Sequence, residues 1–303
     1  MLDHPDKPTP GSQKAIELTQ EKTFTVKFWG ARGTLASNSH ETTKYGGNTA
    51  CVEVQVGDDT LIFDAGSGLR GLGDKMMRDA VKARKTGQKV RRTHLFFTHC
   101  HYDHISGLPF FAPFFSPNSS IDIWSGHLIG ENKTQMMVQE YMRPPFFPVG
   151  PEVFSATIAY RDFNPTDTLK PYKDVSVETI SLNHHDGCVG YRVNFDGRAF
   201  CFITDTAHVA GHPDEKLIEF VRNADLMIYD ATYTDKEFEA FANFGHSTWE
   251  EGIRICEAAD VKKYCIFHHR PSRTDTALDR IAAAAKKRFK KSEVAREGLV
   301  MKL

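Results

Sequence analysis

The sequence predicts an α/β chain folded as an αββα sandwich, two mixed sheets face to face with helices outside. Three observations carry that prediction. An antiparallel start gives way to strands alternating with helices, the second half repeats the logic of the first, and no linker-like break divides the 303 residues. One domain is therefore expected over 23–303, behind an extended tail at 1–22 that is polar and proline-rich.

The elements follow in order. Residues 24–30 alternate apolar and polar side chains and stop at a glycine, which reads as a strand. Runs at 50–56 and 61–63, joined by Gly57-Asp58-Asp59, read as a hairpin, and the second run leads into Asp64-Ala65-Gly66. A helix is expected at 74–84 and an apolar strand at 94–98. Prolines keep the aromatic stretches 108–115 and 143–148 out of regular helix. These stretches either pack onto the core or form an apolar wall that recognises a flat group. Between them lie a short strand at 121–124 and a helix at 131–142. Further strands are expected at 175–182, 189–195, 199–204, 226–229, 264–267 and 299–301, with helices at 214–223, 248–259 and 274–291.

Bulk composition narrows the function classes. With 38 basic against 39 acidic residues, overall charge points to no polyanion-binding face. No run reaches the roughly 20 apolar residues of a membrane span, and residues 1–8 lack the apolar core of a signal peptide. Six cysteines without a C-x-x-C pair suit reduced thiols, so a cytoplasmic location is expected.

The chemistry concentrates at strand ends. Residues 98–104 read Thr-His-Cys-His-Tyr-Asp-His, placing three histidines and an aspartate within six positions after an apolar strand. Imidazole and carboxylate are the ligands that divalent transition metals take. Other predicted strands run out at His184, Asp205 and His268. His185 and His269 adjoin two of these; the first of each pair is preferred because it follows the strand directly.

The pattern H-x-H-x-D-H at 99–104 resembles the signature of the metallo-β-lactamase superfamily, and the resemblance extends over 24–275. It implies that superfamily's αββα fold and a dinuclear centre. His99, His101 and His184 would hold one metal, Asp103, His104 and His268 the other, and Asp205 would bridge. Such ligands suit zinc best, with manganese or iron as alternatives. Asp64 matches an aspartate that braces the metal loop. Lactam-hydrolysing members lack an aspartate where Asp205 stands, and flavodiiron members carry glutamate where His101 stands. Gly190-Tyr191 and Gly245-His246-Ser247-Thr248 instead match the phosphodiesterase branch, which includes cyclic-phosphate phosphodiesterases and tRNA 3′-processing endonucleases.

That branch implies phosphodiester hydrolysis by metal-bound hydroxide, with Asp103, His246 and Asp230 as the catalytic groups. His246 would be the proton donor and Asp230 would orient it. His246 also stands just before Thr248-Trp249-Glu250-Glu251, which fits a helix N-cap, and a helix start attracts anions. The substrate expected is a small cyclic phosphate or cyclic nucleotide. The tRNA endonucleases insert a tRNA-gripping arm between the third histidine motif and the bridging aspartate. Here His184 and Asp205 are 21 positions apart, so nucleic acid is not expected as a partner. Competing readings are tRNA 3′ processing, lactone or thioester hydrolysis on the same metals, and a non-catalytic binding module. No membrane partner is expected, and a homodimer is left open.

Overall fold

A computed structural model describes residues 22–88, 90–128, 130–131 and 133–303, so the tail expected at 1–22 falls outside it except for Lys22. The chain opens with β1 (Phe24–Gly30), β2 (Cys51–Val56) and β3 (Asp59–Phe63), and α1 (Leu69–Lys85) leads to β4 (Thr93–Phe97). One helical turn, α2 (Tyr102–Ile105), precedes two 3₁₀ turns at 108–110 and 112–115. Then come β5 (Ser120–Ser125), α3 (Lys133–Tyr141), β6 (Thr157–Asp162), β7 (Thr168–Tyr172), β8 (Val175–Leu182), β9 (Cys188–Phe195) and β10 (Arg198–Ile203). The last part runs α4 (Glu215–Val221), β11 (Leu226–Asp230), α5 (Asp235–Phe241), α6 (Trp249–Ala258), β12 (Tyr264–Phe267), α7 (Asp275–Arg288), β13 (Ser292–Val294) and β14 (Val300–Lys302).

Two seven-stranded sheets result, ordered β14-β1-β2-β3-β4-β5-β6 and β13-β12-β11-β10-β9-β8-β7. Each is antiparallel over four strands and parallel over the rest; β3 meets β4 in parallel in one sheet, as β10 meets β11 in the other. The repeat predicted from sequence is therefore a repeat of topology, with β14 in the position that β7 holds in the second sheet. The fold is the expected αββα sandwich.

Burial explains why the strands are apolar on both faces. Phe28, Phe63, Phe96, Tyr191, Phe202 and Phe267 fill the space between the sheets, and Phe63 stacks on Phe96 at 5.3 Å. Outside, α1 covers one sheet through Leu69 and Leu72, while α6 and α7 cover the other through Ile253, Cys256, Leu278 and Ile281. A parallel strand sandwiched this way has no polar side, which is why β4 is buried at all five residues. α6 and α7 start on side-chain caps: Thr248 accepts from the Glu251 amide at 3.1 Å and Thr274 from the Ala277 amide at 3.3 Å.

Five elements escaped the sequence reading, the shortest helix being α2, a single four-residue turn. β6 is a half-exposed edge strand of mixed polarity, and β7 is an edge strand carrying Pro171, so neither shows clean alternation. β13 has only three residues. α5 did leave a signal: Thr234 and Glu237 form a reciprocal capping box, the Thr-x-x-Glu pattern.

Arg32 ties the loop after β1 to the loop after β12. Fully buried, it donates to the carbonyls of Gly46 at 2.9 Å and Arg273 at 2.6 Å. Removing the guanidinium leaves those buried acceptors unpaired, at about 1–3 kcal/mol each. Arg32→Met is thus expected to lower unfolding stability by about 2–5 kcal/mol in urea titration. A loss below about 0.5 kcal/mol would mean the carbonyls find other donors.

Candidate metal centre

The centre lies where strands of both sheets terminate. Asp64 follows β3, His99 follows β4, Asp205 follows β10, Asp230 ends β11 and His268 follows β12. Three of these residues, Asp64, Asp205 and His268, have left-handed backbones, with φ of 60°, 54° and 60°. Such conformations are costly away from glycine and persist where surrounding structure enforces them, commonly at functional sites. Two glycines give the histidines room. A Cβ at Gly33 would stand 2.2 Å from the His268 ring, and one at Gly245 would stand 2.6 Å from His184.

Two donor sets share one carboxylate. His99, His101, His184 and Asp205 form the first set and Asp103, His104, Asp205 and His268 the second, with ligand atoms in each within 4.8 Å of one another. The two oxygens of Asp205 face different sets. Oδ1 is 3.3 Å from His104 Nε2 and 3.2 Å from His268 Nε2, while Oδ2 is 3.7 Å from His99 Nε2 and 3.8 Å from His184 Nε2. All seven residues expected as ligands thus lie in one cluster. His185 and His269 lie outside it: His185 Nε2 donates to the Asn243 carbonyl and His269 Nε2 to the Ala295 carbonyl. Burial pushes His269 down to about 3, which keeps it neutral.

The outer nitrogens show that this cluster fits cations. His184 Nδ1 donates to the Gly245 carbonyl at 2.8 Å and His104 Nδ1 to the Asp64 carboxylate at 2.8 Å. His268 Nδ1 donates to the Thr232 hydroxyl and His99 Nδ1 to the Thr98 hydroxyl, both at 3.0 Å. Those hydroxyls in turn donate to Asp230 and Asp64. In the neutral rings every Nε2 is then a lone pair aimed inward. His104 Nε2 and His268 Nε2 face each other at 3.3 Å, and His99 Nε2 is buried with no hydrogen-bond partner. Facing lone pairs beside two buried carboxylates repel unless positive charge lies between them. The same demand appears in His104: burial alone would lower its basicity, yet Asp103, Asp205 and Asp64 hold it well above the ordinary histidine range. The residues present therefore fit divalent metal. The Thr34 amide, absent from the sequence reading, donates to Asp103 Oδ2 at 2.7 Å and braces it. Thr98, Thr232 and the Gly245 carbonyl were also missed, and their neighbouring His motifs were the only sequence signal for them.

His246 and Asp230 form a pair beside this cluster. His246 Nδ1 donates to Asp230 Oδ2 at 2.9 Å, and Asp230 is wholly buried. Burial would lower the His246 pKa, but the charge and hydrogen bond of Asp230 outweigh it and hold His246 up at about 9. Ser247, the next residue, accepts or donates to Tyr229 at 2.9 Å and meets His208 at 2.7 Å, which fixes the turn that carries His246.

A cleft of about 850 Å³ opens onto His101, Asp103, His184, Asp205 and His246. Its other wall comes from the proline-interrupted stretches and α3, with Phe110, Met136, Tyr141, Phe146 and Phe147. Phe146 is 81% exposed and Phe110 55%, so these rings do not fill the core, whereas Phe111 and Phe114 of the first stretch do. The two readings of that stretch are thus divided residue by residue. No helix among the described residues is long and apolar enough to cross a membrane.

Comparison with known proteins adds three likenesses. The chain is 26% identical over 281 residues to ribonuclease Z of Thermoplasma acidophilum, covering 80% of this chain and 86% of that one. The metallo-beta-lactamase fold protein YhfI of Bacillus subtilis superposes with a TM-score of 0.67 at 18% identity, over 93% of this chain and all of that one. The short form of human tRNase Z superposes with a TM-score of 0.63 at 18% identity, over 91% and 98%. These relatives overturn the expectation that nucleic acid is no partner. That inference rested on the 21 positions between His184 and Asp205, and an interval holding one hairpin measures only that hairpin. A grip on a polymer can be built elsewhere on the surface. The model of the beta-lactamase superfamily domain matches residues 59–269, a span that holds every ligand candidate, and the chain belongs to that superfamily as a metal-dependent hydrolase.

Proposed function

We propose that this chain is a dinuclear, metal-dependent phosphodiesterase in which His246 protonates the leaving oxygen. One observation carries the reading: two donor sets share Asp205, and a histidine held on a buried aspartate faces the same cleft. Divalent cations in such sites, zinc by the imidazole and carboxylate donors, supply Lewis acidity and neutralise charge developing on a phosphate ester. Asp205 sets the spacing of the two sets, and Asp103 completes the second while the Thr34 amide holds it. Asp230 fixes the His246 ring through Nδ1, which leaves Nε2 as the nitrogen that exchanges a proton with substrate.

The substrate favoured is a phosphodiester bearing a nucleoside. The exposed rings of Phe110 and Phe146, with half-buried Phe147 beside them, offer faces for a base. A cyclic nucleotide satisfies that wall. The 3′ region of an RNA satisfies it as well, and the ribonuclease Z relatives favour this second reading. A screen of bis(p-nitrophenyl) phosphate, cyclic nucleotides, a 3′-extended RNA, a lactone and a thioester tests the proposal. Metal-dependent hydrolysis confined to the phosphodiesters is expected. Cleavage of the lactone or thioester alone would refute it.

Phe146→Ala is expected to raise KM for a nucleoside diester about tenfold, the worth of one base–aromatic stack, and to leave KM for a dimethyl phosphate-type ester nearly unchanged. Equal effects on the two would return Phe146 to a packing role.

A further inference from the structure

We propose that Arg270 is the cation of a second anion subsite, one that takes a phosphate neighbouring the scissile one. The inference rests on the phosphodiesterase reading and deepens it, because a substrate using this subsite carries at least two phosphates.

None of the cleft's lining residues is a lysine or arginine among the described residues, so any further negative charge on a bound substrate must be met at the rim. Arg270 comes two positions after His268 and reaches toward the cleft through aromatic neighbours. Its guanidinium lies 4.7 Å from the Phe241 ring centroid and 6.0 Å from that of Tyr233. Phe241 and Tyr233 stack on each other at 4.8 Å and 8°, and the Tyr233 ring is 6.1 Å from His246. Two ring contacts therefore connect the guanidinium to the proton donor. On the other side Phe241 touches Phe244, which lines the cleft.

Among the described residues, Arg270 differs from its neighbours in having no ionic commitment. Arg273 is spent on both oxygens of Glu237, at 2.9 and 2.7 Å, and Arg254 on Asp235 and Glu251. No carboxylate among the described residues pairs with Arg270, and its side chain remains partly exposed. Its backbone is nonetheless held. The carbonyl accepts from buried Arg32, and the preceding amide, of His269, donates to the Ala31 carbonyl at 3.0 Å. A guanidinium lying against a ring keeps its N–H groups free at the edges, and that fork matches phosphate oxygens. The platform limits rotamer loss on binding, so the contact is preorganised.

The test compares thymidine 5′-(p-nitrophenyl phosphate) with the same diester carrying a 3′-phosphate. The metal-loaded enzyme is expected to show the lower KM for the 3′-phosphorylated diester, and added salt should shrink that preference. Arg270→Ala should raise KM for the 3′-phosphorylated diester about tenfold more than for the plain one, and Arg270→Lys should recover part of the loss. A second arm measures binding of thymidine 3′,5′-bisphosphate and thymidine 5′-monophosphate by calorimetry, where only bisphosphate binding should depend on Arg270. Equal changes for the two members of either pair, or none, would overturn the subsite. If wild-type enzyme cleaves neither diester, the phosphodiesterase reading fails, and the calorimetric arm still decides the subsite.

Discussion

Asp205→Ala is expected to deplete both metal positions together and to lower turnover by about 10³-fold or more, since metals at such sites contribute several kcal/mol to the transition state. The expectation follows from the two faces of one carboxylate. Oδ1 lies against His104 and His268, and Oδ2 lies toward His99 and His184, so a single deletion removes a donor from each set. The backbone sharpens the effect. Asp205 holds φ at 54°, and Thr204 Oγ1 donates to it at 2.7 Å, so its carboxylate is fixed between the two sets. Elemental analysis of wild-type and variant protein, paired with turnover on one phosphodiester, checks the outcome. Full metal content with unchanged turnover in Asp205→Ala rules out the bridging role.

The second large effect concerns His246. Its alanine variant is expected to retain its metal and lose about 10²–10⁴ in turnover, the usual contribution of positioned proton transfer. Retention of metal follows because its Nδ1 is already committed to Asp230, and because the seven-residue cluster stands complete without it. The loss should follow the leaving group. A p-nitrophenolate departs without a proton and should be little affected, whereas an alkyl or ribose oxygen should suffer most. A residue that merely binds phosphate would slow both substrates alike. Loss of metal from the variant would instead make His246 a ligand, a role its place near Asp205, Asp230 and His268 also permits.

Much of this centre was legible before any coordinates, for a reason of chain geometry. A strand buried on both faces, such as β4, must be apolar until it emerges, so the first polar residues after it mark the sheet edge. His99, Asp205 and His268 announce themselves in this way, and the 99–104 cluster adds the spacing. The same logic separated His184 from His185 and His268 from His269. Edge strands obey no such rule, which is why β6 and β7 were invisible while the central strands were not.

What the linear pattern does not contain is everything that depends on two elements meeting. β14 closes beside β1 by pairing residues from opposite ends of the described chain, such as Thr25 with Lys302, whereas the other neighbours in each sheet follow one another in sequence. The inward lone pairs are of this kind: the Gly245 carbonyl orients His184 and Thr232 orients His268 across 61 and 36 positions. So is the division of the aromatic stretch, where Phe111 and Phe114 enter the core and Phe110 faces the cleft, a choice that irregular backbone makes and no period encodes. The polarity that marks a candidate ligand at the end of a buried strand is carried by each residue itself. Charge state, ring orientation and the seating of the Arg270 guanidinium on Phe241 belong to the neighbours that folding supplies.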